Sequence, residues 1–230
     1  DANGNDEFDA GEIYAVTDAN GFYQFSLFPE GRQGETYTFR EVLQPDWFQS
    51  APNGGEFTEQ LDLGDVSQNN NFGNYEQATK SGTKFTDLQA DGFTGDGVND
   101  DSDPVLSGFV IRAYADLNGN DVLDQADYDN GVIDWDTTDG SGNYELTLDP
   151  GDYIIVEVLQ GDYIQSYPGV DVVGTVTTGG EVLGQYGYAI TLTSGQVDDE
   201  NDFANYQILA TRTPGFWQTH TDYTTHIFEV

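Results

Sequence analysis

Thr138-Asp-Gly-Ser-Gly-Asn-Tyr144-Glu-Leu146-Thr-Leu148 decides the fold. A turn-forming Asp-Gly-Ser-Gly run leads into apolar residues at every second position, the period of a half-buried strand. The stretch repeats an earlier one, Thr17-Asp-Ala-Asn-Gly-Phe-Tyr23-Gln-Phe25-Ser-Leu27, with the same turn and the same alternation. Three more blocks recur in the same order. Asp1-Ala-Asn3-Gly-Asn5-Asp-Glu7-Phe-Asp9 returns as Asp116-Leu-Asn118-Gly-Asn120-Asp-Val122-Leu-Asp124. Glu41-Val-Leu-Gln44 returns as Glu157-Val-Leu-Gln160, and Phe72-Gly-Asn-Tyr75 as Phe203-Ala-Asn-Tyr206. The spacing, roughly 115–130 residues, is that of one ordinary domain.

The rest of the chain reads the same way. Tyr37 and Phe39 alternate with Thr36, Thr38 and Arg40, and Gly-, Asn- and Asp-rich turns separate the runs. No long stretch has helical period with caps. The expected class is all-β: tandem Ig-like or prealbumin-like β-sandwich domains with calcium loops between strands. Residues 1–78 read as the C-terminal part of a first repeat, its opening strands absent. Residues 79–210 read as a complete second repeat, and 211–230 as a tail or the start of a further module.

Composition narrows the function. The chain has 230 residues, 42 Asp+Glu against 6 Lys+Arg, and a formal charge of −36. Such a charge repels phosphate, which argues against nucleic acid as a partner. No apolar run approaches the ~20 residues that span a bilayer, so no membrane insertion is expected. Without Cys there is no disulfide framework and no thiolate site. Acidity alone would suggest disorder, but 14 Tyr, 14 Phe and 3 Trp are core material. The expected place for Trp47, Trp135 and Trp217 is core or inter-sheet packing. The chain lacks Met and is read as processed or as a piece of something longer.

Much of the acidity has calcium-loop spacing. Asp1, Asn3, Asn5, Asp9 and Glu12 occupy positions 1, 3, 5, 9 and 12 of the template, with the Glu7 carbonyl at position 7. Asp116, Asn118, Asn120, Asp124 and Asp127 repeat it, with the Val122 carbonyl. Alternate oxygens on a tight loop suit a hard cation wanting six to eight ligands. Position 6, ordinarily Gly, is Asp6 or Asp121, and no flanking helices are expected. A third stretch offers Asp87, Gln89, Asp91 and the Phe93 carbonyl as the start of one site. Asp96, Asn99, Asp100, Asp101 and Asp103 complete it or form a second. The expected load is about three to five Ca²⁺.

Lys80-Ser-Gly-Thr-Lys84-Phe-Thr-Asp87, the acidic loop, the Asp-Asn-Gly turns, Glu157-Val-Leu-Gln160 and Phe203-Ala-Asn-Tyr206 together resemble a family. It is the B-type repeats of serine-aspartate-repeat (Sdr) surface proteins and the related collagen-adhesin B-type (Cna-B, prealbumin-like) domains. Asp96–Asp103 also resembles thrombospondin type-3 calcium sequence. Arg212-Thr-Pro-Gly-Phe-Trp217-Gln-Thr-His220 resembles a segment that follows such repeats in secreted microbial proteins. The resemblance implies an extracellular, cell-surface location and calcium-stiffened sandwiches strung as stalks or filaments. It also implies a self-formed Lys–Asn isopeptide bond assisted by an acid, with Lys84 where the family's lysine lies. Strand parity turns Glu41 and Glu157 inward with Tyr37 and Phe39, and Asn74 and Asn205 inward with Phe72 and Phe203. Lys84 and Phe85 have opposite parity, which leaves open the side that faces the core. The expected triad is Lys84, Glu157 and Asn205.

Three functions follow for weighing. One is a structural subunit that associates with identical subunits or neighbouring repeats, through a strand such as Tyr223–Val230 added to an open sheet edge. The alternative is an adhesin for a host or matrix ligand. An enzyme is disfavoured, because no Ser-His-Asp or zinc pattern is present and the acids sit at calcium spacing. His220 and His226 read as surface residues.

Overall fold

A computed structural model describes residues 8–26, 34–87, 103–199 and 201–207. The chain divides into two units, Asp1–Gln77 and Ala78–Val230. Thirteen strands and one six-residue helix account for the regular structure of the described residues, an all-β, sandwich-type fold.

Unit 2 is built on β5 (Ala78–Thr86), β6 (Val110–Ala115), α1 (Gln125–Asn130), β7 (Val132–Thr137), β8 (Asn143–Leu148), β9 (Gly151–Val158), β10 (Tyr163–Tyr167), β11 (Leu183–Leu192), β12 (Val197–Asp198) and β13 (Phe203–Gln207). One sheet runs β11-β9-β6-β7. In the other, β5 pairs antiparallel with β8 along Ala78–Thr83 and parallel with β13 along Lys84–Thr86, while β13 also pairs with β10. Between the sheets lie Ala78, Tyr144, Leu146, Leu148 and Phe203 on one side and Ile111, Ala113, Tyr153, Ile155 and Leu192 on the other. The strand at Tyr144–Leu148 forms as its alternation predicts, with every second residue buried.

Strand β9 departs from simple alternation: Tyr153 through Glu157 are all buried. Its far face is covered by a second cluster of Tyr114, Leu123, Ile154, Val156, Val172 and Leu183. The acidic loop supplies that cover, since Leu123 exchanges backbone hydrogen bonds with Val172 and Gly174 and Tyr128 stacks on Tyr114 at 5.7 Å. Here the expectation of no flanking helix is corrected. Helix α1 begins directly after the loop, because Asp124 caps it and Asp127 closes a capping box.

Trp135 is also a correction, being 60% exposed rather than in the core. It lies on edge strand β7, whose opposite face carries Asp134 and Asp136. Their carboxylates accept from the Thr147 and Glu145 amides of β8 at 2.8 and 2.9 Å. Parity then turns Trp135 outward, and the free edge of β8 is sealed by charge. Trp47 is 38% exposed, and Trp217 lies outside the described residues.

Unit 1 contains β1 (Glu35–Arg40), β2 (Trp47–Ala51), β3 (Glu56–Leu61) and β4 (Gly73–Glu76). Its pairings have the registers of unit 2. Gln49 faces Asn74 in β2–β4 as Gln165 faces Asn205 in β10–β13, with a bulge at the same step and a cis-proline after each strand. Glu35 faces Leu61 as Gly151 faces Leu192. The turn at Asp18 matches that at Asp139 bond for bond. One expectation fails: Tyr23 and Phe25 lie in no ladder, although Tyr144 and Leu146 do. The partner of Tyr144–Leu148 is β5, and unit 1 has no such strand among its described residues. Accordingly none of those residues is fully buried.

Gly82 marks the tightest approach to β5. A Cβ there would lie 2.1 Å from the Asn201 carbonyl oxygen and 3.0 Å from the Tyr144 ring. Gly82→Ala is expected to destabilise unit 2 by about 1–3 kcal/mol, read as a lower midpoint in chemical denaturation.

Candidate functional site

Strand β5 carries two buried lysines four residues apart, and they meet different surroundings. Lys80 Nζ donates to the Ser81 carbonyl, the Asp198 carbonyl and Asp198 Oδ1, at 2.9, 2.9 and 3.0 Å. Burial pulls its ammonium below the ordinary value, Asp198 opposes that, and the contacts clip β12 to β5. Lys84 Nζ has one oxygen, Glu157 Oε2 at 2.8 Å, and faces the rings of Phe109 and Phe203 at 5.3 and 6.0 Å. Both ends of that ion pair are fully buried.

Asn205 completes the group. Its Nδ2 donates to the same Glu157 Oε2 at 3.0 Å. One carboxylate oxygen therefore touches both an amine and an amide nitrogen. Lys84 and Asn205 sit on neighbouring parallel strands, while Glu157 reaches across from the facing sheet. Glu157 Oε1 and Asn205 Oδ1 are buried without a hydrogen-bond partner. The parity question at Lys84 has a simple outcome: Lys84 and Phe85 are both fully buried. Phe85 bridges to Val105, so β5 is covered on both faces.

Burial sets the protonation. It pulls the Lys84 ammonium down to about 8, against the attraction of Glu157. It pushes the Glu157 carboxyl up, against Lys84 and the Asn205 amide. Both shifts lower the cost of moving the proton from lysine to carboxylate.

Sequence reasoning missed two neighbours that shape this site. Gln165 accepts from the Tyr186 amide and donates to the Tyr186 carbonyl, both at 2.8 Å. Gly184 has no Cβ because one would lie 2.8 Å from Glu157 Cγ and 2.6 Å from Gln165 Oε1. Neither has a sequence signal: both depend on a contact between distant strands.

The acidic loop at Asp116–Asp127 is folded on its own hydrogen bonds. Asp116 accepts from the amides of Gly119, Asn120 and Asp121, and Asn118 donates to Asp124 at 2.7 Å. Asn120 accepts from the Val122 amide, and Asp127 from Leu117 and Asp124. Asp121 adopts φ 63°, the left-handed conformation that glycine gives the template, so the shifted glycine does not prevent the turn. The Ala126 and Asp127 amides hold the Asp124 carboxyl below its ordinary range. Asp9 and Glu12 form the same bond as Asp124 and Asp127, the Asp9 amide donating to Glu12 at 3.1 Å. Among the described residues, no three Asp, Glu or His side chains gather as a metal cluster. Asp87 is buried, with Oδ2 lacking a hydrogen-bond partner, and Asp103 is half-buried. Asp1, Asn3, Asn5, Glu7, Gln89, Asp91, Phe93, Asp96, Asn99, Asp100 and Asp101 lie outside the described residues, as do His220, His226 and Tyr223–Val230.

No helix among the described residues is long and apolar enough to cross a membrane. No family model matches the chain, and no curated protein does. Solved structures that align with it include the Bacillus anthracis TIE protein, at 12% identity, TM-score 0.38, covering 84% of this chain and 28% of that one. GBS52, the minor pilin of Streptococcus agalactiae, aligns at 19% identity and TM-score 0.34, covering 87% of this chain and 70% of that one. The shaft pilin SpaA of Lactobacillus rhamnosus GG aligns at 14% identity and TM-score 0.30, covering 85% and 68%. The chain thus spans just over a quarter of the first of these. Scores this low carry no argument, and the reading rests on the residues and registers above.

The protonation of Lys84 has a measurable sign. Its folded value, about 8, lies below the ordinary 10.5, so between these values the unfolded chain holds more protons and stability rises with pH. Asn205→Ala keeps the ion pair without the amide. From about pH 8 to 10.5, its melting temperature should rise relative to Asn205→Ala/Lys84→Met. A flat difference between the two would contradict this.

Proposed function

We propose that this chain is an extracellular structural protein, a non-enzymatic stalk or filament subunit of tandem B-type β-sandwiches that locks itself covalently. The single observation that carries the reading is the buried Lys84–Glu157–Asn205 group. A lone buried ion pair is often replaceable by apolar residues without loss of stability. One whose carboxylate oxygen also holds an amide nitrogen beside the amine is equipped for chemistry.

The step is balanced within the protein. Lys84 passes its proton to Glu157 and attacks Asn205 Cγ as a neutral amine. The Nζ–Cγ bond forms, Glu157 returns its proton to Nδ2, the Cγ–Nδ2 bond breaks to release ammonia, and the Glu157 carboxylate takes the surplus proton from Nζ and ends as a carboxylic acid. The product joins β5 to β13. By the chain-entropy estimate, a cross-link closing a loop of this size contributes about 4–5 kcal/mol.

Intact-mass spectrometry tests the bond. The native chain should weigh one ammonia less than its sequence. Lys84→Ala, Glu157→Gln and Asn205→Ala should each restore the full mass and lower the melting temperature. A native mass equal to the sequence mass removes the proposal.

Calcium belongs to the same reading. Asp116, Asn118, Asn120, Asp124, Asp127 and the Val122 carbonyl would hold the ion once Asn118 and Asp124 turn from each other. Support comes from the left-handed Asp121 and the amides anchoring Asp116. The ion would supply charge neutralisation and brace the loop that covers Ile154 and Val156. Adding EDTA should lower the melting temperature by several degrees; indifference to chelator removes calcium from the account.

A further inference from the structure

The Lys84–Glu157–Asn205 group lies one strand in from a side of the sandwich. Strand β13, which carries Asn205, pairs with β10, and β9, which carries Glu157, pairs with β11. Among the described residues β10 and β11 are the end strands of their sheets. The seam between these two strands therefore separates the buried amide from solvent on that side. The walls beside Lys84 are aromatic. Phe109 and Phe203 face its Nζ at 5.3 and 6.0 Å, and Tyr163 packs edge-on against Phe109 at 5.1 Å.

Gln165 closes the seam. It stands opposite Asn205 in the β10–β13 ladder and is 7% exposed. Its side chain crosses to the other sheet, where Oε1 accepts from the Tyr186 amide and Nε2 donates to the Tyr186 carbonyl, both at 2.8 Å. The Tyr186 peptide groups are free for this because the β9–β11 ladder shifts register between Leu183 and Gly187. The adjacent Gln185 carbonyl and Gly187 amide bond instead to Val172 and Val170. One side-chain amide thus takes the place of a ladder rung between strands of different sheets. Gly184 permits the approach. A Cβ there would meet Gln165 Oε1 at 2.6 Å, Gln165 Nε2 at 2.8 Å and Glu157 Cγ at 2.8 Å. The glutamine amide and the glutamate stem therefore flank one glycine.

The Asn205 amide has two possible attackers. The Lys84 amine gives the cross-link. Water gives hydrolysis: its oxygen bonds to Cγ as Glu157 takes a proton, the Cγ–Nδ2 bond breaks, ammonia leaves, and position 205 becomes an aspartate. An acid touching the amide nitrogen serves either nucleophile, so access decides the outcome. Excluding water from a reacting group suppresses the hydrolytic side reaction.

We propose that Gln165 makes this choice, as a plug that keeps water from Asn205 Cγ and reserves it for Lys84. It acts through the Tyr186 peptide and the space at Gly184, which makes it a positioning residue rather than a catalytic one. The proposal rests on the chemistry assigned above to Lys84, Glu157 and Asn205.

The test compares the full native chain with Gln165→Ala by intact mass and by peptide mapping at position 205. Linked chain is lighter than the sequence by one ammonia, while hydrolysed chain has exchanged one ammonia for one water. The native chain should show linkage without hydrolysis. In Gln165→Ala the hydrolysed fraction at position 205 should rise by about tenfold or more, at the expense of the linked one. Gln165→Met keeps the bulk for folding but leaves the Tyr186 amide and carbonyl unpaired, which draws water in, so it should give the same shift. Leu192→Ala opens the core at the far end of β11. It should lower the melting temperature without hydrolysis at position 205. An unchanged hydrolysed fraction in both Gln165 variants overturns the proposal, as does equal hydrolysis in Leu192→Ala. A native chain that is unlinked removes the cross-link alone, because hydrolysis confined to the Gln165 variants still supports the plug and its absence still overturns it.

Discussion

Strand β5 is bonded along both edges and, at Lys84–Phe85, covered on both faces, and unit 2 is organised around that constraint. Its first half is the ladder partner of β8, and its second half is the ladder partner of β13. Both of its lysines lie on the face turned into the core, where a charged side chain has no exit. Each must be met by an acid inside the fold, because an isolated buried charge costs far more than a domain's net stability. Asp198 meets Lys80 with backbone help, while Glu157 meets Lys84 against aromatic walls. The second arrangement lacks the extra oxygens that would pin an ammonium. That shortage, rather than the ion pair itself, sets Lys84 apart from Lys80.

Unit 1 makes the same point from the opposite side. Its turns, registers, bulge and aromatic cluster match those of unit 2 without a counterpart of β5 among the described residues. What changes is burial: positions sealed in one unit are half-open in the other. The registers come from local turns and neighbouring strands, whereas closure of the core comes from the opening strand.

The parts legible in the sequence are those with local causes. Alternation at Tyr144–Leu148, the turns at Asp18 and Asp139, and the inward parity of Glu157 and Asn205 all act over a few residues. The grouping of Lys84 with Glu157 and Asn205 was reachable because a repeat and a resemblance placed the pieces. Other features depend on distant contacts. Helix α1 is too short to show a period. Trp135 faces outward because Asp134 and Asp136 are engaged with β8. The strand expected at Tyr23–Leu27 needs a partner that its own residues do not encode. The contact between Gly184 and Glu157 arises only when β9 and β11 meet. The charge of −36 is similarly divided, since many of the acids bind backbone amides within turns, caps and edges and so fix local structure rather than merely solvate it.

The parallel pairing of β5 with β13 has a mechanical consequence. These are the first and last strands among the described residues of unit 2, lying side by side and pointing the same way. A pull on the two ends of the unit therefore drags them along their length in opposite senses. Their hydrogen bonds are then sheared together rather than unzipped one at a time. The described strands between them sit largely off the line of tension. Such a module resists stretching at its seam.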